Sequence, residues 1–515
     1  MKTLVLVEAS GKTELLARRL REMRHTVQVL ATVGHLCDNP KSLRPIALDP
    51  QLREMAYGLR EDRAALFKKI ADAAAMADQI ILAMDDDQEG DVIAHDLATL
   101  LPDEQSKMRR VRLGSLGADE LRAAFASAKA IDPAAAWPGM CRRIVDRAIG
   151  SAYTVIAEGA TIPVGRVQSG MLDAVARSAP QIGTYRIPLQ VSDGRTFMAE
   201  VPVSSDAGIE AMRRAEAALA AGAGKILGQE ERERPASLPW SHEEAVEAIA
   251  LRLHVDIDVA ANALQEAFER GLVSYPRARA KAFTPDGVEI GARLAHYNRC
   301  AFAGDQVPSR PRTGAQGLPH EAPRPMEEEV LIGRTLNMLD AAESVQVLLA
   351  RNLIQCGQTV RETRLRVAAA DAELEFCYTA RPPMRNWKDK AAKPGYEALP
   401  LDVALLRHMR MAGLGRASTL VKHVTTMLAR NVVEQGGAGI RLTEKGEQWL
   451  AHARRAGLSA DVSVAIEARL EKPMKDVHRT AREILREHGL LGQVDTMIAK
   501  HAPKRQEHAP GMALD

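Results

Sequence analysis

The chain has little of what marks several common protein classes. Its five cysteines, Cys37, Cys141, Cys300, Cys356 and Cys377, are scattered and form no Cys-x-x-Cys pair. That argues against a zinc ribbon and a disulfide framework, and it fits a reducing cytosol. No stretch approaches the ~20 apolar residues that a membrane span needs. The apolar start, Thr3-Leu4-Val5-Leu6-Val7, is too short for a signal peptide and runs into Glu8. The expectation is therefore a cytoplasmic protein with no membrane partner. No Gly-x-x-x-x-Gly-Lys-Ser/Thr loop occurs, so a phosphate-binding loop for ATP is missing. Neither sign of charge dominates: 69 Lys plus Arg face 67 Asp plus Glu, so a polyanionic partner would need local basic grooves balanced by acid elsewhere. Tyrosine is scarce, with seven in 515 residues. A chain of that length holds about three to five domains.

What is present begins with Asp85-Asp86-Asp87-Gln88-Glu89-Gly90, directly behind the apolar stretch Gln79-Ile80-Ile81-Leu82-Ala83-Met84. Strand side chains alternate, so Asp85 and Asp87 leave on one side as the chain exits a sheet, and Glu89 follows at the mouth of a helix. Such a cluster suits Mg²⁺, which takes hard oxygen ligands from one or two carboxylates and completes its shell with water and phosphate. An acidic surface loop has the same composition. A second buried strand, Thr3 to Val7, also ends in an acid, Glu8, followed by Lys12 and an amphipathic pattern. In open α/β sheets the ligand crevice lies beyond the carboxyl ends of strands, so the two acidic ends can share one crevice. Hydrophobic periodicity predicts β 3–8, α 11–23, β 25–31, α 64–77, β 79–84, α 90–101, β 110–113 and α 118–129.

Further along, Ser241 and Glu244 are spaced as a capping box, with helical patterning through Leu253 and again from Val259 to Arg270. Gly271 closes the second helix, and Leu272 to Arg277 reads as a short strand presenting Tyr275 beside Arg277. Two helices and a strand outline a helix-turn-helix or winged-helix unit. A tyrosine attacking a phosphodiester needs its phenolate stabilised by a cation, which Arg277 can supply; a packed core tyrosine is the plain alternative. Gly165 allows close approach, and Arg166 and Gln168, on one side if extended, suit phosphate and sugar contacts. Gly413 to Thr419 enters a helix predicted over 418–428, where Arg416 and free N–H groups meet an anion, unless Ser418 or Thr419 is simply an N-cap. Val432-Val433, a glycine turn and Ile440 to Leu442 predict a hairpin, and hence a second winged-helix unit. The segments Gln229 to Pro235, 304–318 and 382–394 read as hinges or surface loops.

The pairing of Glu8 with Asp85-x-Asp87-x-Glu89 resembles the Toprim domain of topoisomerases, primases and some nucleases. Leu-Val-Ser-Tyr275-Pro-Arg277 is similar to the active-site sequence of type IA DNA topoisomerases, with the flavour of the topoisomerase III branch. Val164-Gly-Arg166-Val-Gln168-Ser, His320-Glu-Ala-Pro-Arg324-Pro, Gly413-Leu-Gly-Arg416-Ala-Ser418-Thr419 and Val33-Gly-His35 resemble further elements of that family, in order from about Met1 to Leu450. The resemblance implies a multidomain α/β plus α+β fold: an N-terminal Toprim with a Rossmann-like parallel sheet, and winged-helix, CAP-like domains arranged as a torus. The implied boundaries are Toprim 1–135; a DNA-binding gate domain over 136–183 and 396–495, its winged helix at 405–450; a β-rich arch over 184–236 and 353–395; a tyrosine domain over 237–352; and a disordered tail over 496–515.

The implied activity is ATP-independent, Mg²⁺-dependent cleavage of one DNA strand through a 5′-phosphotyrosine at Tyr275, strand passage and religation. This relaxes negative supercoils, with decatenation a further outcome. Glu8 and Lys12 act on the leaving 3′-oxygen, Arg277 and His320 on the phosphate. Asp85, Asp87 and Glu89, with Glu8, hold Mg²⁺, and no zinc or ATP is expected. His35, Arg166, Gln168, Arg324, Arg416, Ser418 and Thr419 contact DNA, preferentially single-stranded or negatively supercoiled, and the protein is expected to be a monomer. Gln88, Asp91, Ala278 and Arg279 depart from the family pattern. A Toprim primase or nuclease, or a non-catalytic DNA-binding relative, are the competing readings.

Overall fold

The computed structural model describes residues 2–23, 26–157, 160–311, 320–380 and 392–501. At the N-terminus, β1 (Thr3–Val7), β2 (Val27–Ala31), β5 (Gln79–Asp85) and β6 (Met108–Leu113) form a parallel sheet in the order β2-β1-β5-β6, while β3 (Cys37–Asp38) and β4 (Gly58–Leu59) pair beside it. Alternation along β1 sends Val5 and Val7 to one face, against Leu16 and Leu20 of α1 (Thr13–Glu22) and Leu121 of α4 (Ala118–Ala126). Leu4 and Leu6 go to the other face, against α2 (Ala64–Ala75) and α3 (Gln88–Leu100). Both faces are covered, which is why these strands read as continuous apolar runs. The predicted elements of this region all form, with ends shifted by a few residues.

The chain continues through α5 (Pro133–Tyr153), the hairpin β7 (Val155–Ala157) and β8 (Ala160–Ile162), and α6 (Arg166–Arg177). Next come β9 (Gly183–Gln190), β10 (Thr196–Val203), α7 (Asp206–Ala220) and β11 (Lys225–Pro235), then α8 (His242–Leu253), α9 (Ile257–Glu269), α10 (Pro285–Tyr297) and α11 (Ala341–Cys356). The strands β12 (Thr359–Ala369), β13 (Ala372–Ala380) and β14 (Gly395–Ala398) then return to the earlier ones, making a six-stranded sheet in the order β11-β12-β13-β10-β9-β14. Last are α12 (Leu401–Met411), α13 (Leu420–Ala429), the hairpin β15 (Val433–Gly436) and β16 (Gly439–Leu442), α14 (Glu444–Arg455), α15 (Ala460–Leu470), α16 (Val477–Glu487) and α17 (Leu491–His501). The expected hairpin and the Ser241–Glu244 capping box both form. No helix among the described residues is long and apolar enough to cross a membrane.

Four expectations are corrected. Leu272 to Arg277 is extended but is no strand: its one ladder contact is an isolated bridge from Val273 to Pro325, and Pro276 cannot donate to a ladder. The charged run Gln229 to Pro235 is not a hinge but half of edge strand β11, where Arg232 and Arg234 pair with Glu362 of β12. An edge strand exposed on both faces tolerates such charge. The helix after the Gly413 loop starts at Leu420 rather than Ser418. Residues 496–501, expected in a disordered tail, belong to α17, which buries Val494, Met497 and Ile498. The predicted loops at 312–318 and 382–391, and the tail from 502, lie outside the described residues.

One buried acid ties three elements together. Glu467 of α15 accepts from Arg142 of α5 at 2.7 Å and from Arg166 of α6 at 2.8 Å, and Arg142 also reaches Gln88 of the acidic turn at 2.9 Å. Burial alone would raise the Glu467 pKa, but Arg142, Arg166 and Arg416 hold it down to about 2. A depression of that size corresponds to about 3 kcal/mol of stability, present above the ordinary carboxylate pKa and lost as pH falls toward the folded value. Glu467→Gln should therefore lower the thermal unfolding midpoint at pH 7, and the deficit should shrink as pH drops from about 4.5 toward 2. A deficit that does not change with pH would show that the charge of Glu467 contributes nothing.

Candidate functional site

Because β1 and β5 are parallel neighbours, their carboxyl ends deliver Glu8 and Asp85 to the same edge of the sheet. The chain then turns sharply. Asp87 is the N-cap of α3, its Oδ1 accepting the Gly90 N–H at 2.8 Å. Only glycine fits at position 90, since a Cβ there would lie 2.3 Å from the Asp85 carbonyl oxygen. Lys12, fully buried, donates to Asp85 and lies 4.5 Å from the centre of the Phe268 ring on α9.

Tyr275 comes to this edge from the other side. Gly271, at φ +72°, ends α9 and turns the chain back. The Ser274 N–H then donates to the Arg324 carbonyl at 2.9 Å, and the Tyr275 N–H donates to the Gly114 carbonyl, just past β6, at 3.0 Å. The phenol donates to Asp87 Oδ2 at 2.6 Å. Its ring meets Phe268 edge-on, with centroids 5.6 Å apart, and the ring of His320 at 4.8 Å. Backbone and side chain together seat the tyrosine, 3% exposed, on the acidic crevice.

The electrostatics follow from this seating. Burial, then Asp85 and Asp87, push the Glu8 pKa up to about 7 against the pull of Lys12 and Arg277. Burial, then Asp87 and Asp85, push the phenol of Tyr275 well above its ordinary value, and Arg277 opposes them. Arg277 thus acts on the phenol in the expected direction, but desolvation and two carboxylates outweigh one guanidinium. Asp87, already bonded to the hydroxyl, is placed to receive its proton.

The remaining predicted residues divide into those at the crevice and those committed elsewhere. His320 stands beside Tyr275, its Nδ1 3.9 Å from Asp86. His35 Nε2 lies 2.8 Å from Glu89, and Arg416 is 3.7 Å from Glu89 and 3.6 Å from Glu467. The bond to His35 comes first among the causes that lower the Glu89 pKa. Burial works against charging His35, but its bond to Glu89 and the surrounding acids raise its pKa overall. Ser418 and Thr419 are half-buried, and Thr419 is an N-cap by position without a side-chain capping bond.

Two residues expected to contact DNA are held in ion pairs within the protein. Arg166 is not in an extended segment: Gly165 is the N-cap and Arg166 opens α6, its guanidinium held at 2.8 Å by both Asp146 and Glu467. Arg324, 1% exposed, is held at 2.9 Å by both Glu120 and Glu321. Both arginines are structural ties here. Gln168 donates to the His423 carbonyl at 3.0 Å.

The donor set suits a hard cation. Glu8 Oε2 is buried without a hydrogen-bond partner among the described residues, and Asp85 and Asp87 lie near enough to raise its pKa. A ready-made triad is not there: among the described residues no three His, Cys, Asp or Glu side chains converge as ligands. Asp85 is taken by Lys12, Asp87 by Tyr275 and Gly90, and Glu89 faces His35 and Arg416. Glu8, Asp85 and Asp87 are the acids grouped at the crevice, and Glu89 is paired with His35 and near Arg416. Sequence reasoning missed Phe268, Gly114, Arg142 and Glu467. An aromatic inside a helix, a backbone carbonyl and two charged helix residues leave no local signature.

Residues 3–115 match the Toprim domain family. The plasmid DNA topoisomerase I of Xylella fastidiosa (strain 9a5c) is 25% identical over 297 residues, covering 53% of this chain and 44% of that protein. DNA topoisomerase 1 of Campylobacter jejuni is 25% identical over 194 residues, covering 37% and 27%. The chain thus spans less than half the length of these curated relatives. The structure of full-length topoisomerase I from Thermotoga maritima superposes with a TM-score of 0.65 at 17% identity, over 96% of this chain and 90% of that one. Residues 3–115 thus form a Toprim domain, and the chain as a whole shares the fold of the Thermotoga topoisomerase I.

Proposed function

We propose that the chain is an ATP-independent type IA DNA topoisomerase. The observation that carries this is the phenol of Tyr275 hydrogen-bonded to Asp87 within a crevice that also holds Glu8 and Lys12. In the cleavage step the Tyr275 oxygen bonds to phosphorus as its proton passes to Asp87. The bond from phosphorus to the 3′-oxygen breaks, and Glu8, its pKa pushed up to about 7 by burial and the neighbouring acids, protonates that oxygen. Arg277 and His320 bind the non-bridging phosphate oxygens. The reverse sequence reseals the strand, and because the phosphotyrosine retains the bond's free energy, no ATP is consumed. Mg²⁺, held by Glu8, Asp85 and Asp87, would supply charge stabilisation at the phosphate. The substrate is single-stranded or negatively supercoiled DNA. Strand passage requires the tyrosine segment, residues 237–352, to lift from the Toprim segment, residues 1–135. The gate segments 136–183 and 396–495 hold the DNA, and the arch of 184–236 and 353–395 acts as the hinge. A Toprim nuclease or primase has no use for a tyrosine seated in this way.

With Mg²⁺ and no nucleotide, the protein should relax negatively supercoiled plasmid, and Tyr275→Phe should abolish relaxation while still binding DNA. Nicking that survives in Tyr275→Phe would instead support the nuclease reading. Because cleavage needs protonated Glu8, single-turnover formation of the covalent complex should slow as pH rises through about 7; Glu8→Gln should be slower by roughly 10²–10⁴ and lose that dependence. Arg324→Met leaves the buried Glu321 carboxylate without its cation, so it should cost about 3–5 kcal/mol of stability. The affinity of the folded fraction for a single strand should stay unchanged, and a selective loss of DNA affinity would return Arg324 to the DNA interface.

A further inference from the structure

Away from the crevice, the C-terminal ends of α5, α14 and α17 converge with Arg44 and Thr154 around a cavity of about 510 Å³. Five of its lining residues can carry positive charge: Arg44, His452, Arg455, Lys500 and His501. None of the described lining residues is acidic. Arg44, Arg455 and Lys500 form no ion pair among the described residues, although their neighbours do: Arg454 is paired with Asp173 and Arg482 with Asp495. Cations at helix C-termini have an ordinary explanation in the helix dipole, which presents about half a negative charge at each end. Three such ends offset roughly one and a half charges, while Arg44, Arg455 and Lys500 carry three before either histidine is counted. The surplus is positive. The wall between these charges is apolar: Tyr153, whose hydroxyl is tied to the Leu490 carbonyl at 3.0 Å, Met497 and the half-exposed Ile156.

We propose that this cavity is a second nucleic-acid site, which takes phosphodiesters of a single strand on its arginine and lysine rim and a base against its apolar wall. A duplex keeps its bases stacked inside and cannot use such a wall, whereas a single strand offers both a phosphate and a π face. The site would anchor strand flanking the segment in the crevice, and in that respect it rests on the reading of DNA as substrate.

The test uses the full chain carrying Arg455→Glu and Lys500→Glu, with Arg455→Gln and Lys500→Gln as the milder pair and unchanged thermal midpoints as the folding check. Anisotropy titrations with labelled oligothymidylates of about 8 to 40 nucleotides at several salt concentrations should show about tenfold weaker binding of the long strands. The slope of log affinity against log salt should fall by about 1.4, the release expected for two single-strand phosphate contacts. Binding of the shortest strand, and its covalent trapping, should match wild type. Equal losses in Arg213→Glu/Arg361→Glu, which changes net charge identically, would overturn the proposal, as would an unchanged salt slope. Competition by inorganic pyrophosphate as effective as that of the oligonucleotide would also overturn it, because the cavity would then be a small-anion site. If wild type traps no DNA covalently, the proposed catalytic function fails, while the length and salt series still decides the cavity.

Discussion

The hydrogen bond from the Tyr275 phenol to Asp87 joins two halves of the molecule that are far apart in sequence. Everything chemical in the structure depends on it, because it brings the one tyrosine in a reactive setting to the edge where two parallel strands end in acids. The contact is supported by the Tyr275 N–H on the Gly114 carbonyl and by Lys12 between Asp85 and the Phe268 ring. A hydrogen bond to a charged group contributes about 1.5–3 kcal/mol. A handful of such contacts closes the crevice firmly.

Charge explains how the crevice is balanced. Glu8, Asp85 and Asp87 crowd one edge, and the protein answers with Lys12, Arg277 and a Glu8 pKa pushed up to about 7. The same acids keep the phenol protonated. On the proposed function, an incoming phosphate would offer Arg277 a new partner, and a divalent cation would relieve the acids that hold the tyrosine's proton in place. Glu89, bound by His35 and near Arg416, links the crevice to the helices around Glu467. The acidic turn is thereby connected to α5 and α15 through Gln88 and Arg142.

Much of this was legible from residue order. The parallel sheet followed from apolar runs ending in acids, and Gly271 before Tyr275 marked the turn that aims the tyrosine. The misread arginines share a cause: local spacing does not reveal the partners that distant segments supply. Arg166 and Arg324 look like phosphate ligands in a motif, but Asp146, Glu467, Glu120 and Glu321 reach them from distant segments. Residues 229–235 look like a broken linker until Glu362 of a strand more than a hundred residues later neutralises them. Arg277 looks sufficient to activate the phenol until burial is counted. Pairing across long sequence separations and the depth of burial are tertiary properties, and no window of sequence contains them.

The claim on which the account turns is that the oxygen of residue 275 becomes bonded to a broken DNA end. Reaction of the wild-type protein with a single-stranded oligonucleotide, denaturant quench, nuclease and protease digestion, and mass spectrometry of the peptide containing Tyr275 tests it most directly. The account predicts that this peptide carries a nucleotide joined through its 5′-phosphate. An unmodified Tyr275 with the adduct on another residue, or cut DNA with no protein adduct at all, would contradict it.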